Sequence, residues 1–507
     1  MKSGKSARIL CEIRFWYILV YALNFMCLSL SPYRLSGLMN HDSLVFTGLG
    51  VLGALLLAVD FFTRRNMLRV PNAELLLAFF VIALISCVLN RAYSFTGSVK
   101  CLIWMAIQIL YVGAVDVDLP REVHKKHIAI LGHVLILFWL VCVVISLRMY
   151  IIQYGIQTDI MVGEKLLWRT VGYLEGRLFG IFIDPNYAAL ISLFCILLAL
   201  YFLTQPGCAL WRRILYGISI AVQFLYVVLS ASRTAELCMV GAAFFGGCFI
   251  LPVRPNRKKL VHLALCGLVG LLCAAVSFGA LTVVRAGAAY LPSLYADVSA
   301  GAGQTQMKGP LSQPDATPAP ETAESAPNAH TPAAHPLEAV DMTRPDAEKE
   351  DYSNNRFAIW ADYLRVVRSA PVLGVGPRGY ESYAAEHFPD SFIVQRQYVV
   401  HNGYLVLFVG TGIVGGLLML VWFALAAISV LIWLVKNRKD TPEGYRDVLW
   451  LTMILVIGAV AAFPFQILFY VNDEVTIVLW VVFGYVMALI RGGRSDGPLY
   501  RLLAPRS

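Results

Sequence analysis

Residues 403–435, GYLVLFVGTGIVGGLLMLVWFALAAISVLIWLV, form an apolar run without a charged side chain. A helix crosses the hydrocarbon core of a bilayer in roughly 17–25 residues, so this run is long enough to span a membrane. The composition of the whole chain also suits a lipid bilayer, because its 507 residues are 58% hydrophobic and only 14% charged, with a mean hydropathy of +0.68. The sequence therefore predicts an integral membrane protein.

Apolar runs of similar length recur along the chain and predict about twelve transmembrane helices. The predicted fold class is an all-α polytopic membrane protein. The sequence therefore predicts three regions. Residues 1–284 contain the first nine crossings, residues 285–402 lie outside the membrane, and residues 403–507 contain the last three crossings and a tail. The predicted crossings lie near residues 15–33, 44–62, 72–90, 99–115, 128–150, 178–204, 214–230, 234–252, 260–284, 403–435, 448–470 and 474–490.

Basic residues mark alternate loops of this arrangement. The net charge of +9 is compatible with nucleic-acid binding, but Lys and Arg cluster in short segments such as PREVHKKH (120–127) and RPNRKK (254–259). Short basic loops stay on the cytoplasmic side of membrane proteins. Their positions predict that both termini are cytoplasmic, that residues 285–402 lie outside, and that nucleic acid is not a partner.

Residues 285–402 form the only large region that the sequence predicts outside the membrane. Ala, Pro, Ser and Thr dominate residues 296–351, which bury too little apolar surface to fold and are predicted to be a disordered insertion. Residues 352–400 are predicted to be helical, because apolar residues follow helical spacing in SNNRFAIWADYLRVVRSAP, between a predicted N-cap at Ser353 and a stop at Pro371. YESYAAEHF predicts a second, short helix.

Two motifs in predicted loops have functional and structural interpretations. DVD at 116–118 has the D-x-D form that holds a metal and a sugar nucleotide, but carboxylates at a helix end are usually only solvated. GVGPRG at 374–379 follows a helix instead of a strand, which favours a glycine turn over a dinucleotide site. Arg378 within this motif is a candidate for binding an anionic ligand.

Polar residues interrupt the apolar run GRLFGIFIDPNYAAL (176–190). Asp184 and Pro185 suit the N-cap and the first position of a helix, so a helix is predicted to begin there. The positive end of that helix would face outward beside Arg177, where a phosphate group is held favourably. Asn186 is predicted to bind substrate at the same place.

Arg233 lies in LSASRTAEL (229–237), a very short turn between two predicted crossings. An arginine at such a turn either extends to the membrane interface or binds an anion. It lies on the same predicted face as Arg177 and Arg356. The sequence leaves both interpretations open.

Among the nine histidines, His387 and His401 are predicted to be ordered on the outer face. A neutral imidazole at His401, where a crossing begins, can accept a proton near neutral pH. The alternative is a polar helix cap in which Asn402 assists. The sequence predicts no carboxylate pair, metal site or cofactor. Arginines suit a pyrophosphate leaving group, and a lone imidazole suits deprotonation of an acceptor hydroxyl.

Taken together, these segments resemble the O-antigen ligase and O-antigen polymerase superfamily of bacterial membrane glycosyltransferases. The resemblance rests on GRLFGIFIDPNYAAL, on LSASRTAEL, on RFAIW with PVLGVGPRGY after it, and on HNGYLVLFVGTGIVGG. It covers about residues 171–480. It implies a GT-C-like, metal-independent transferase of the bacterial cytoplasmic (inner) membrane, which uses an undecaprenyl-pyrophosphate-linked oligosaccharide as donor on the outer side.

The resemblance also implies residue roles and a reaction. His401 resembles the loop histidine that acts as general base, and Arg233 and Arg356 resemble the arginines that face the pyrophosphate. The implied reaction is an inverting transfer of glycan to an acceptor hydroxyl on a glycan or lipid, by a polymerase or a ligase. The alternative function is a flippase or exporter of lipid-linked oligosaccharide. The supporting substrate-binding residues are Arg177, Arg378, Asn402 and Asn186.

Overall fold

Long apolar helices dominate the computed structural model, which describes residues 2–32, 39–115, 119–162, 165–251, 259–301, 338–343, 353–438 and 442–491. Eleven helices in these ranges are long and apolar enough to cross a membrane. One further apolar helix, Ala73–Leu89, corresponds to the predicted crossing at 72–90 and is 17 residues long. The prediction of an all-α polytopic membrane protein is confirmed.

The helices follow the chain in the order that the apolar runs predict. The first group is α1 Lys2–Leu28, α2 Met39–Thr63, α3 Ala73–Leu89, α4 Phe95–Ala106 with a π-helical turn Ile107–Val112, α5 Arg121–Ile151, α6 Pro185–Leu203, α7 Leu210–Leu229, α8 Arg233–Ile250 and α9 Lys259–Ala288. The second group is α10 Leu291–Gly301, α11 Arg356–Ser369, α12 Tyr380–His387, α13 Phe392–Gln395, α14 Leu405–Asn437, α15 Pro442–Ala461 and α16 Glu474–Arg491.

A small antiparallel sheet follows α5, where the sequence predicts no folded region. Its strands are β1 Gly155–Val162, β2 Lys165–Leu174 and β3 Arg177–Gly180, in that order. The sequence does not predict this sheet. The predicted crossing 178–204 is shorter, since its first residues are in β3 and the helix begins at Pro185. β-Branched and aromatic residues give both strands and apolar crossings, so composition alone does not separate them.

Helix starts explain several polar residues near the membrane surface. Asp184 accepts a hydrogen bond from the backbone N–H of Asn186 (2.7 Å), and Pro185 takes the first helical position, as predicted. For α11 the predicted cap is wrong. Asn355, with a left-handed φ of 65°, precedes the helix without a side-chain cap, and Ser353 lies two residues further upstream.

The predicted insertion 296–351 is described only in part. Helix α10 extends to Gly301, and in residues 338–343 the N–H of Val340 donates to the carbonyl of Ala289 (3.0 Å). Residues 338–343 therefore contact the chain between α9 and α10. Most of the insertion and the DVD motif at 116–118 lie outside the described residues.

The two ends of the helix bundle differ. One end, called here the loop end, carries the sheet, residues 353–404 and residues 462–473 between α15 and α16. At the opposite end a fully buried carboxylate, Asp447, is bound by Arg121 (3.1 Å), Lys125 (3.2 Å) and Gln205 (3.1 Å). Helices α5, α6 and α15 are therefore tied together by charge-assisted hydrogen bonds at that end.

Helix α14 is interrupted at Gly412, where φ is 63° and ψ is −167°. The GVGPRG segment fills the break, because the N–H groups of Val375 and Gly376 donate to the carbonyls of Val409 (3.0 Å) and Gly410 (2.9 Å). Backbone groups within a membrane protein must be satisfied internally. GVGPRG is thus a glycine turn, the interpretation that the sequence favours.

Gly374→Ala is expected to destabilise this junction more than an ordinary glycine replacement. Gly374 has a φ of 64°, and an added Cβ would lie 2.6 Å from the backbone N of Gly412 and the carbonyl O of Val409. Overpacking costs about 1–3 kcal/mol, in addition to about 1–2 kcal/mol for a left-handed non-glycine residue. The measurement is the free energy of unfolding in detergent micelles.

The matched control for this change is Gly207→Ala. Gly207 has a similar φ of 75°, but an added Cβ there meets nothing within 4 Å. This variant has the backbone strain of a left-handed alanine without the steric clash. Equal destabilisation of the two variants would contradict the steric argument.

Candidate functional site

The adjacent residues His401 and Asn402, which precede α14, have different roles. The side-chain oxygen of Asn402 accepts hydrogen bonds from the N–H groups of Tyr404 (2.9 Å) and Leu405 (2.8 Å), so Asn402 caps the helix. The N–H of Gly403 donates to the carbonyls of Ala462 and Phe465 at 2.7 and 2.9 Å, which attaches this loop to the α15–α16 connection. The imidazole of His401 is not the cap.

His401 is held in a conformation that histidine adopts rarely. Its φ is 47°, in the left-handed region, and its carbonyl accepts a hydrogen bond from the indole N–H of Trp360 (3.3 Å). The half-buried imidazole meets the ring of Tyr398 edge-on, with the ring centroids 6.2 Å apart. A left-handed residue other than glycine costs about 1–2 kcal/mol, and surrounding packing must hold it in place.

Arg356, predicted to face a pyrophosphate, lies beside His401. Its Nε donates to the carbonyl of Pro464 (3.1 Å), and the guanidinium lies 5.5 Å from the ring centroid of Phe465. Burial and the positive charge of Arg356 lower the pKa of His401, while the carboxylate of Asp184 acts in the opposite direction. The imidazole is therefore neutral at pH 7 and able to accept a proton.

Two other predicted binding residues contact each other. Arg177 donates from Nη2 to the side-chain oxygen of Asn186 (2.9 Å) and from Nε to the carbonyl of Ser230 (3.0 Å). It thereby joins β3 to the start of α6 and to the turn before α8. Arg233 is exposed at the first position of α8, three residues after Ser230.

Arg378 lines a cavity of about 310 Å³ at the loop end, and its backbone N–H donates to the hydroxyl of Ser98 (3.1 Å). The cavity lies between the end of α1, the start of α6 and the α15–α16 connection. His401 is outside the lining. The lining residues are Phe25, Leu28, Ser29, Ile183, Asp184, Tyr187, Arg378, Gln466, Val471, Asn472, Asp473 and Glu474.

Three carboxylates, those of Asp184, Asp473 and Glu474, share this cavity. The sequence predicts no carboxylate pair and does not anticipate this grouping. Asp473 accepts hydrogen bonds from the N–H (2.7 Å) and hydroxyl (2.8 Å) of Thr476, and burial raises the pKa of Asp473 to about 6. Within the part of the chain that the structure describes, no His, Cys, Asp and Glu residues form a group able to hold a metal ion.

Sequence reasoning missed Asp473, Glu474 and Gln466 as site residues. A signal exists in VNDEV (471–475), a polar cluster between the last two apolar runs. The same residues begin α16, so the pattern alone also fits an ordinary helix start. Only their proximity to Asp184 distinguishes them.

Aromatic rings connect the cavity to His401 and Arg356. The ring of Phe465 lies under the guanidinium of Arg356 and 5.6 Å from the ring of Tyr187, which lines the cavity. Asp184 lines the cavity and also acts on the pKa of His401. The imidazole, one guanidinium and the polar cavity are thus neighbours. The other predicted outer histidine, His387, is exposed and stacks on Tyr383, with the ring centroids 4.0 Å apart.

Comparison with known proteins gives one family. Residues 218–420 match the family model described as O-antigen ligase. This match confirms the resemblance to the O-antigen ligase superfamily that the sequence predicts. The search of curated proteins gives no match. The matched part includes Arg233, Arg356, Arg378, His401 and Asn402, whereas Arg177 and Asn186 precede it.

Proposed function

We propose that this multi-pass membrane protein, whose residues 218–420 match the O-antigen ligase family, transfers a glycan from an undecaprenyl-pyrophosphate donor to an acceptor hydroxyl. The family match supports a ligase- or polymerase-like glycosyltransferase. The observation that carries the proposal is the half-buried imidazole of His401, which is near enough to the charges of Arg356 and Asp184 to respond to both, Asp184 being a wall residue of a polar cavity.

In the proposed step, His401 takes the proton of the acceptor hydroxyl as that oxygen attacks the anomeric carbon of the donor sugar. The bond between this carbon and the pyrophosphate oxygen breaks, and the lipid pyrophosphate leaves. Arg356 and Arg233 stabilise the charge that develops on the leaving group. One displacement inverts the anomeric configuration. Since arginines meet the leaving-group charge, the proposed mechanism is metal-independent.

The remaining predicted residues have supporting roles in the proposal. Arg177 and Asn186, which bind each other, hold the start of α6 next to Arg233. Arg378 binds an anionic part of the substrate from the cavity wall. Asn402 caps α14 and so fixes the backbone from which His401 projects.

The proposed location is the bacterial cytoplasmic membrane with the loop end outward. The basic segment 120–127 lies at the opposite end, where Arg121 and Lys125 bind Asp447, and this suits the cytoplasmic side. The donor lipid and the acceptor then meet the site from the outer leaflet.

A flippase or exporter is the alternative, and the linkage between helices at the opposite end favours the enzyme. There Asp447 is fully buried and bound by two residues of α5 and by Gln205, which follows α6, and these bonds link the helices. The polar cavity lies at the loop end, whereas the cavity lined by Leu193, Met239 and Trp450 within the bundle has apolar walls.

Turnover in proteoliposomes tests the proposed function. Purified protein is supplied with undecaprenyl-pyrophosphate oligosaccharide and no nucleotide, and both released lipid pyrophosphate and glycan length are measured. We expect new glycosidic bonds. Offering either a second lipid-linked glycan or a lipid core as acceptor separates a polymerase from a ligase. Transport of labelled lipid across the bilayer without glycosidic bond formation would establish the flippase alternative instead.

The pH dependence of turnover is expected to follow the environment of His401. Its pKa lies below the ordinary value of about 6.5, so the imidazole stays unprotonated, and the rate is maintained, to below that pH. The rate falls as the pH decreases through the lowered pKa. Asp184→Asn removes a negative neighbour and shifts this acidic limb to lower pH, whereas Arg356→Gln removes a positive neighbour and shifts it to higher pH.

The measurement is kcat/KM as a function of pH for the three proteins. Asn is as good an N-cap as Asp, so Asp184→Asn keeps the start of α6. Identical acidic limbs in the wild type and both variants would show that a group other than His401 controls the rate.

A further inference from the structure

The α15–α16 connection holds both groups of the proposed chemistry. The carbonyl of Pro464 accepts a hydrogen bond from Nε of Arg356 (3.1 Å), and the ring of Phe465 lies under the same guanidinium. The carbonyl of Phe465 accepts a hydrogen bond from the N–H of Gly403 (2.9 Å), two residues after His401. The position of this connection therefore sets where Arg356 and the loop of His401 lie relative to each other.

The connection is held in an unusual backbone conformation. Leu468 and Tyr470 have φ angles of 74° and 58°, in the left-handed region that bulky side chains rarely adopt. Such a conformation persists only where surrounding contacts fix it. At Leu468 these contacts come from α16: the indole N–H of Trp480 donates to the Leu468 carbonyl (3.1 Å), and the Leu468 N–H donates to the hydroxyl of Thr476 (3.0 Å). Helix α16 thus fixes the middle of the connection.

A second fixed point comes from Gln108, on the π-helical turn that ends α4. Its side chain is only 1% exposed, and Nε2 donates to the carbonyl of Val471 (3.0 Å) and to Oδ1 of Asn472 (2.6 Å). The hydroxyl of Tyr21 on α1 donates to the same oxygen of Asn472 (3.3 Å). A buried amide is costly unless it is hydrogen-bonded, and π-helical turns occur frequently at functional sites. Helices α1 and α4 therefore hold the connection just before α16.

We infer that Gln108 is a positioning residue for the proposed transfer: by fixing residues 471–472, its amide keeps the α15–α16 connection, and through it Arg356 and the loop of His401, in their relative positions. This inference rests on the proposed function, since its kinetic effect requires a reaction. Misplacing reacting groups by about 1 Å can cost about 10²-fold in rate. Loss of the amide should therefore lower kcat while the substrate still binds.

Gln108→Met tests the inference, because methionine has a similar length but no N–H donor in its side chain. We expect kcat for glycan transfer in proteoliposomes to fall about ten- to hundredfold, with KM within about twofold of the wild type. The matched control is Gln223→Met on α7. Gln223 is fully buried, and its amide has no hydrogen-bond partner among the residues that the structure describes. This control should transfer glycan at the wild-type rate.

Fluorine NMR of the full chain, labelled with fluorotryptophan in nanodiscs, reports on the geometry without turnover. The indole N–H of Trp360 donates to the carbonyl of His401, and its ring meets that of Phe463 in the connection edge-on, with the centroids 5.2 Å apart. Trp360→Phe assigns the Trp360 resonance. Gln108→Met should shift this resonance by more than its linewidth, whereas Gln223→Met should leave it in place.

Gln108→Glu keeps the test decisive if the methionine variant fails to fold. A buried carboxyl group is protonated and has one donor instead of two, so kcat should fall less and the Trp360 resonance should shift in the same direction. Wild-type kcat with an unmoved resonance in the folded variants would overturn the inference, and so would a lower unfolding temperature as the only effect. If the wild type forms no glycosidic bond but the resonance still shifts in Gln108→Met, the transferase is refuted and the positioning by Gln108 stands.

Discussion

Glycan transfer by the His401→Asn variant is expected to fall by a factor of about 10² to 10⁴, the contribution typical of a general base. Asparagine tolerates the left-handed backbone that His401 adopts at φ 47°, so this change removes the imidazole with little added strain. Its amide does not accept a proton near neutral pH. The measurement is the rate of glycosidic bond formation in proteoliposomes, together with the unfolding temperature of the variant.

The control for His401→Asn is His387→Asn. His387 is an exposed outer histidine that stacks on Tyr383, and it does not line the cavity. We expect turnover of this variant within about twofold of the wild type. A His401→Asn protein that is folded and transfers glycan at the wild-type rate would refute the role of His401 as base.

Arg356→Ala is expected to lower turnover by a factor of about 10² to 10³, as loss of one preorganised donor does at other enzyme sites. The guanidinium is fixed by its bond to the carbonyl of Pro464 and by the ring of Phe465, so it is positioned before the leaving group departs. Arg356→Lys should restore only part of the rate, because an ammonium keeps the charge but not the planar array of donors.

Arg365→Ala is the matched control on the same helix. Arg365 is exposed, pairs with Asp362 at 3.2 Å and lies over the ring of Phe388. Exposed ion pairs contribute about 0–1 kcal/mol, so turnover of this variant should remain close to wild type. If Arg356→Ala raises KM and leaves kcat unchanged, Arg356 binds the donor equally strongly in the ground state and in the transition state. Preferential stabilisation of the transition state by Arg356 is then excluded.

Much of the fold follows from the sequence because a bilayer limits the possible structures. A crossing segment must satisfy its backbone hydrogen bonds internally, so a sufficiently long apolar run is a helix. The run at 403–435 and its counterparts therefore predict the helices, and Asp184 with Pro185 predicts the start of α6. The sheet at 155–180 was not predictable in this way, because outside the bilayer the same residue types form either structure.

The candidate site depends on both the sequence and the tertiary structure. The sequence determined which side chains with suitable chemistry lie near helix ends at the loop end, including His401, Arg356 and Arg233. Only the tertiary structure decided that Asn402 caps α14, that Arg177 binds Asn186, and that Asp184 meets Asp473 and Glu474 in one cavity. The reason is physical: polarity and spacing along the chain specify helices and their ends, whereas contacts between distant segments arise from how the helices pack.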